Sequence, residues 1–303
     1  MRVTIEGAAA LWFGAGDPVR AASAIARFGD GWLVAQDDAT HAAWVRPAGI
    51  RRVRVLEPVD GHDTFSSAAG TKHLKPDFEA AVDVPSGVLL LGSGSTAARM
   101  RAALVTPTAP GAVADLTPVY RRVAQALGLR PEQLNLEGAC RLGDQLRWFQ
   151  RGNAAAGVPS AGVDVDLPAL LATVAGQSSA DRASADRVVV GGVRRYDLGT
   201  IGGVALAITD AVALPDGRVL VSAAAEDTPN AVDDGPVVGA ALALLDDERV
   251  LAVAALPNGA DGPYKVEGLA VRSANAGRIS LIAVVDADDP LAASSRLDLR
   301  VSW

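Results

Sequence analysis

The chain has a single cysteine, Cys140, in its 303 residues, so no intramolecular disulfide can form and a disulfide-stapled secreted scaffold is excluded. Histidine is almost as scarce, with only His41, His62 and His73, and no Gly-x-Ser-x-Gly elbow accompanies them. A Ser-His-acid hydrolase and a His/Cys zinc site therefore have no support, and a general-base role falls to His73 alone. Basic stripes are missing too. The net charge is −7 with a pI of 5.0, and the run Arg51-Arg52-Val53-Arg54 alternates as the solvent face of an outer strand. Nucleic acid is not an expected partner. No apolar run reaches the 18 residues that a membrane-crossing helix needs, and Met1 to Glu6 alternates like a strand where a signal peptide needs an unbroken apolar core. The expectation is a cytoplasmic protein with no membrane partner, although the mature part of an exported protein would read the same way.

Aromatic residues make up only 4% against 50% hydrophobic, which assigns the core to Val, Leu, Ile and Ala and suits sheets packed face to face. The order of features repeats every 55 to 70 residues or so. Each unit is a short apolar strand, a turn on Gly, Asp or Pro, and a returning strand that ends in polar residues. Five such hairpins are visible, beginning near Ser23, Phe78, Leu136, Ile208 and Val266, and Leu214-Pro215-Asp216-Gly217-Arg218 gives the clearest turn. Further apolar stretches can complete four strands per unit. The reading is all-β: one β-propeller domain over 1–303, five blades visible and six possible, with a sixth concealed in 166–190. Leu297 to Val301 and Arg2 to Ile5 are expected to close one blade together and hide its last edge. One short helix is expected near 117–128, with Thr117 as N-cap, Pro118 in the first turn and Gly128 as terminator.

In a propeller, inner strands begin and second strands end at the same mouth of the central channel. The strand starts place Ser23, Glu79, Glu137, Asp210 and Glu267 there. The second-strand ends add Asp37, Asp38, Ser93, Ser95, Arg151, Asn153, Glu226, Asp227, Asp286 and Asp288. Four of the five inner strands thus open with an acid beside Ala or Gly. Carboxylates gathered in a narrow channel need a cation, an Arg or Lys, or shared protons. Two readings follow: Glu79, Glu137, Asp210 and Glu267 hold a hard cation such as Ca²⁺, or they pair with Lys75, Arg151 and Lys265 around a solvated channel. Lys75 and Arg151, with Asn153, Asp38 and Glu226, are the candidates for binding a small-molecule ligand. The acidic segment from Ala225 to Gly235 overhangs the same mouth as an Asx-rich turn or a lid.

The segments Lys75-Pro76-Asp77-Phe78-Glu79-Ala80, Leu91-Gly92-Ser93-Gly94-Ser95, Asn135-Leu136-Glu137-Gly138, Arg151-Gly152-Asn153 and Asn230-Ala231-Val232-Asp233-Asp234-Gly235 resemble an uncharacterised bacterial family of propeller-like proteins. More distantly, Glu137-Gly138 and Glu267-Gly268 resemble the calcium-bearing propellers of the gluconolactonase and paraoxonase superfamily and esterase-like phytase propellers. That resemblance implies Glu79, Glu137, Asp210 and Glu267 as metal ligands and hydrolysis of an ester, lactone or phosphoester. The other function class is a non-enzymatic scaffold or ligand sensor. The sequence leaves both open, along with the oligomeric state.

Overall fold

The computed structural model describes residues 1–108, 111–176, 185–227, 235–286, 289 and 292–303. Alternating apolar and polar residues pair into antiparallel hairpins, and these assemble into five blades. The inner strands are Ala22–Phe28, Phe78–Val84, Leu136–Leu142, Val204–Ala213 and Lys265–Asn275, for blades 1 to 5 in turn. Each inner strand packs against the next, and the fifth packs against the first, which closes the ring. The apolar core is divided in the same way: five clusters of buried residues fill the five blade-to-blade interfaces, mainly with Val, Leu and Ala.

Closure follows the expected route. Arg2–Ala10 is the outermost strand of blade 5 and pairs antiparallel with Ser295–Ser302, with Arg2 opposite Ser302. The pairing covers the edge of Ser295–Ser302 and leaves Arg2–Ala10 as the outer edge of the blade.

Among the described residues of 166–190 there is no sixth blade. Asp166 caps a second helix, Leu167–Ala175, by accepting a hydrogen bond from the Ala169 amide at 2.7 Å. This helix lies between the third and fourth strands of blade 3, Ser160–Asp166 and Val190–Tyr196. It packs with the first helix, Thr117–Leu127, in the cluster between blades 2 and 3. The expected excursion Gln177 to Arg182 lies outside the described residues. The first helix ends at left-handed Gly128 as expected, but its cap differs. Thr117 is already helical, and Asp115 accepts from both the amide and the hydroxyl of Thr117, at 2.8 and 2.6 Å. An acid two residues ahead competes better for the free amides than the hydroxyl that follows it. Among the described residues no helix is long and apolar enough to cross a membrane.

Candidate functional site

All five inner strands carry a β-bulge near the channel mouth. The ladder register slips between Ala22 and Ala24, Phe78 and Ala80, Leu136 and Ala139, Ile208 and Asp210, and Val266 and Gly268. An extra residue in one strand re-aims a side chain, and the residues in these slips are Ser23, Glu79, Glu137 with Gly138, Thr209 and Glu267. In blade 4 the position equivalent to the other acids therefore belongs to Thr209, and Asp210 stands one residue further on. The hydroxyls at this level join blades: Ser23 Oγ donates to the Phe78 carbonyl at 2.5 Å, and Thr209 Oγ1 to the Val266 carbonyl at 2.6 Å. Asp210 is a joint as well, since its Oδ2 accepts from the Leu269 amide at 2.5 Å. Gly138 is required where the strands approach most closely. Its φ is +76°, and a Cβ there would lie 2.5 Å from Asp210 Cα. Gly268 is confined likewise by the backbone of Ile25 and Ala24 in blade 1. The Glu-Gly starts are thus packing devices as well as carriers of charge.

The acids are compensated by basic side chains that bridge neighbouring blades. Lys75 Nζ lies 2.5 Å from Asp37 Oδ2 in blade 1 and 2.7 Å from Asp77 Oδ1 at the start of blade 2. Arg99 reaches the other Asp77 oxygen at 3.0 Å, and Ser93 donates to it. Arg151 binds Glu137 Oε1 of blade 3 at 3.0 Å and also Glu226 of blade 4. Lys265 lies 3.3 Å from Glu267. Two of the chain's three lysines are thus committed to this mouth. Burial lowers the basicity of Lys75, but Asp37 and Asp77 hold it well above its ordinary value; burial opposes Arg151 likewise, and Glu137, Glu267 and Glu226 hold it up.

The carboxyls respond in the opposite sense. Burial pushes Glu79 well above the usual range, and Asp77 and Asp37 add to the effect. Burial raises Glu137 against the pull of Arg151, and raises Asp210 strongly. It lifts Glu267 to about 8 although Lys265 is close by, with Glu137 and Asp286 contributing. Asp77 goes down: burial acts upward, but Lys75 and Arg99 prevail. Glu137 is only 5% exposed, and its Oε2 has no hydrogen-bond partner among the described residues.

The structure divides the expected metal ligands. Glu79, Glu137, Asp210 and Glu267 lie within electrostatic reach of one another. Among the described residues, however, the group whose ligand atoms lie within 4.8 Å of one another is Asp37, Asp77 and Glu79. The expected ligand-binding residues divide as well. Arg151, Asn153 and Glu226 line a cavity of about 1010 Å³ between blades 3 and 4, together with Asn135, Gln150 and the turn Ala154–Ala156. Asp38 lines a separate cavity of about 350 Å³ with Arg20, His41 and Arg52. Its carboxyl is raised to about 6 by burial and by Asp37, and Arg20 lies 3.3 Å away. Lys75 lines neither cavity. His73 is exposed in the turn Lys72–Leu74, and Asp288 with Thr228 to Asp234 of the overhanging segment lie outside the described residues.

Sequence reasoning passed over Asp77 and Arg99 as members of the acid group. Asp77 had a signal in standing two residues before Glu79, but its backbone is left-handed at φ +59°, so strand alternation alone does not place it. Arg99 had none, being brought in by the short turn Ala97–Arg99.

Comparison with known proteins bears on the family and the fold. The model of a family of unknown function, DUF6910, matches residues 71–290. The chain belongs to this family. No curated protein matches it. Among solved structures, a hypothetical protein from Leishmania major superposes with a TM-score of 0.50 at 13% identity, covering 99% of this chain and 91% of that one. A GH43 endo-arabinanase from Bacillus licheniformis gives 0.44 at 10%, covering 95% and 96%. The extracellular domain of a hybrid two-component system from B. thetaiotaomicron gives 0.37 at 8%, and the match covers 91% of this chain but spans only 27% of that one. The likeness to the Leishmania protein is one of fold alone.

Proposed function

We propose that this DUF6910 protein is a small-molecule-binding propeller whose ligand enters the cavity between blades 3 and 4 at the channel mouth. The observation that supports this reading is the cavity itself. At about 1010 Å³ it is the size of a small-molecule site, and it gathers Arg151, Asn153 and Glu226 from two blades. Ala155 lies in an exposed turn on its wall, so Ala155→Trp obstructs part of the cavity without disturbing the core. Compounds that raise the Tm of the wild type are expected to raise that of the obstructed variant less. Equal shifts in both proteins would place binding elsewhere.

A second reading, metal-assisted hydrolysis of an ester, lactone or phosphoester, draws on Asp37, Asp77 and Glu79. Their oxygens are close enough to share a hard cation such as Ca²⁺, which would polarise a carbonyl or phosphoryl oxygen. The Lys75 ammonium, however, already sits against two of the three carboxylates, so a metal ion must displace it. Calorimetric titration with calcium separates the cases. Heat of binding to the wild type favours the metal reading; binding that appears only in Lys75→Met shows the lysine to be the resident cation.

A further inference from the structure

The walls of the cavity between blades 3 and 4 also restrict what can enter it. Two guanidinium groups line it, and both are already matched. Arg130 Nε is 2.7 Å from Glu132, and Arg151 is held by Glu137 and Glu226 with Glu267 also acting on it. An anion approaching Arg151 meets the Glu226 carboxylate on the same guanidinium and Asp227 on the same wall, and their charge repels it. The acids of the wall differ in commitment: Glu226 accepts from Arg151 and from the Gly235 amide at 3.1 Å, Asp197 accepts from the Gly199 amide at 2.9 Å, and Asp227 is exposed and adds negative charge against an anion.

The wall also leaves uncharged polar groups open. Asn135 Nδ2 donates to Glu137, and Asn153 Oδ1 accepts from the Ala156 amide. Asn135 Oδ1 and Asn153 Nδ2 have no hydrogen-bond partner among the described residues, so these two side chains offer one acceptor and one donor. A hydroxyl group satisfies both kinds, since it donates and accepts. Val158, Leu198 and Val204 supply an apolar surface for the carbon skeleton.

We infer that the cavity takes an uncharged, hydroxyl-bearing small molecule and rejects its anionic counterparts. The inference rests on the reading of this cavity as the ligand site and narrows it, excluding phosphoesters. The test is calorimetry at low salt with a panel of uncharged sugars and lactones, each matched to its phosphate or carboxylate form, such as glucose with glucose 6-phosphate. The uncharged member is expected to bind at least tenfold more tightly, and Asn153→Ala to weaken it about fivefold. Glu226→Gln removes one of the charges that mask Arg151, so it should raise affinity for the phosphate form about tenfold. Preference for the anionic member in the wild type, or no gain in Glu226→Gln, would overturn the inference and leave the cavity as a ligand site. Binding of no member of the panel would overturn both.

Discussion

Glu267 offers the sharpest test of how the channel is compensated. Its carboxyl is raised from an ordinary 4.5 to about 8, first by burial and then by Glu137, against the pull of Lys265. Because the folded value lies above the unfolded one, the carboxyl's contribution to stability is complete below pH 4.5 and is lost as pH climbs toward 8. At pH 5 the unfolded chain gains about 1 kcal/mol by ionising this group, and at pH 8 about 4 kcal/mol. Glu267→Gln keeps the shape and cannot ionise. Its stability relative to the wild type should therefore rise by about 3 kcal/mol between pH 5 and pH 8. Urea unfolding of both proteins at pH 5, 6, 7 and 8 measures the difference directly. Parallel stability curves would refute the reasoning, for they would mean that Lys265 holds the carboxylate charged throughout.

The other perturbations address the ring itself. Gly138→Ala must place a Cβ 2.5 Å from Asp210 Cα at a φ of +76°, so chemical unfolding should show a loss of at least about 2 kcal/mol; wild-type stability would disprove the close approach of blades 3 and 4. Arg151→Met leaves Glu137 and Glu226 buried without their cation, at a cost of about 3–5 kcal/mol. That loss should shrink at pH 5, where protons replace the missing charge, and a loss independent of pH would point to packing alone. Deleting residues 1–10 strips Ser295–Ser302 of its partner and exposes an edge strand, so light scattering should detect concentration-dependent association. A monomeric, cooperatively folding product would show that the outer strand does not protect the ring.

The fold was legible because its evidence is local. Each hairpin announces itself by a turn and two apolar strands, and Leu297 to Val301 and Arg2 to Ile5 read as strands wherever they sit. The second helix was harder, since Leu167-Pro168-Ala169-Leu170-Leu171 is a continuous apolar run that periodicity alone cannot assign. Asp166 and Pro168 were the available signal, a cap followed by a first-turn proline.

The site was legible in part, for a different reason. Which residues reach the channel mouth follows from strand alternation within each unit, and that placed Glu79, Glu137 and Glu267. Which residue occupies the bulge depends on where the ladder slips, and the acid at Asp210 concealed that Thr209 holds the equivalent place. Partnership is less local still. Lys75 meets Asp37 across 38 residues and Arg151 meets Glu226 across 75, and both contacts depend on the angle between neighbouring blades. That angle is set by how Val, Leu and Ala pack in the interfaces, where many sequences are equivalent. Lys75 and Arg151 each meet an acid of the neighbouring unit besides one of their own, and their charge cannot be assigned to a ligand until that neighbour has been counted. Arg151 illustrates the consequence: read along the chain it is open either to a ligand or to the channel acids, and read across the interface it is bound by Glu137 and Glu226.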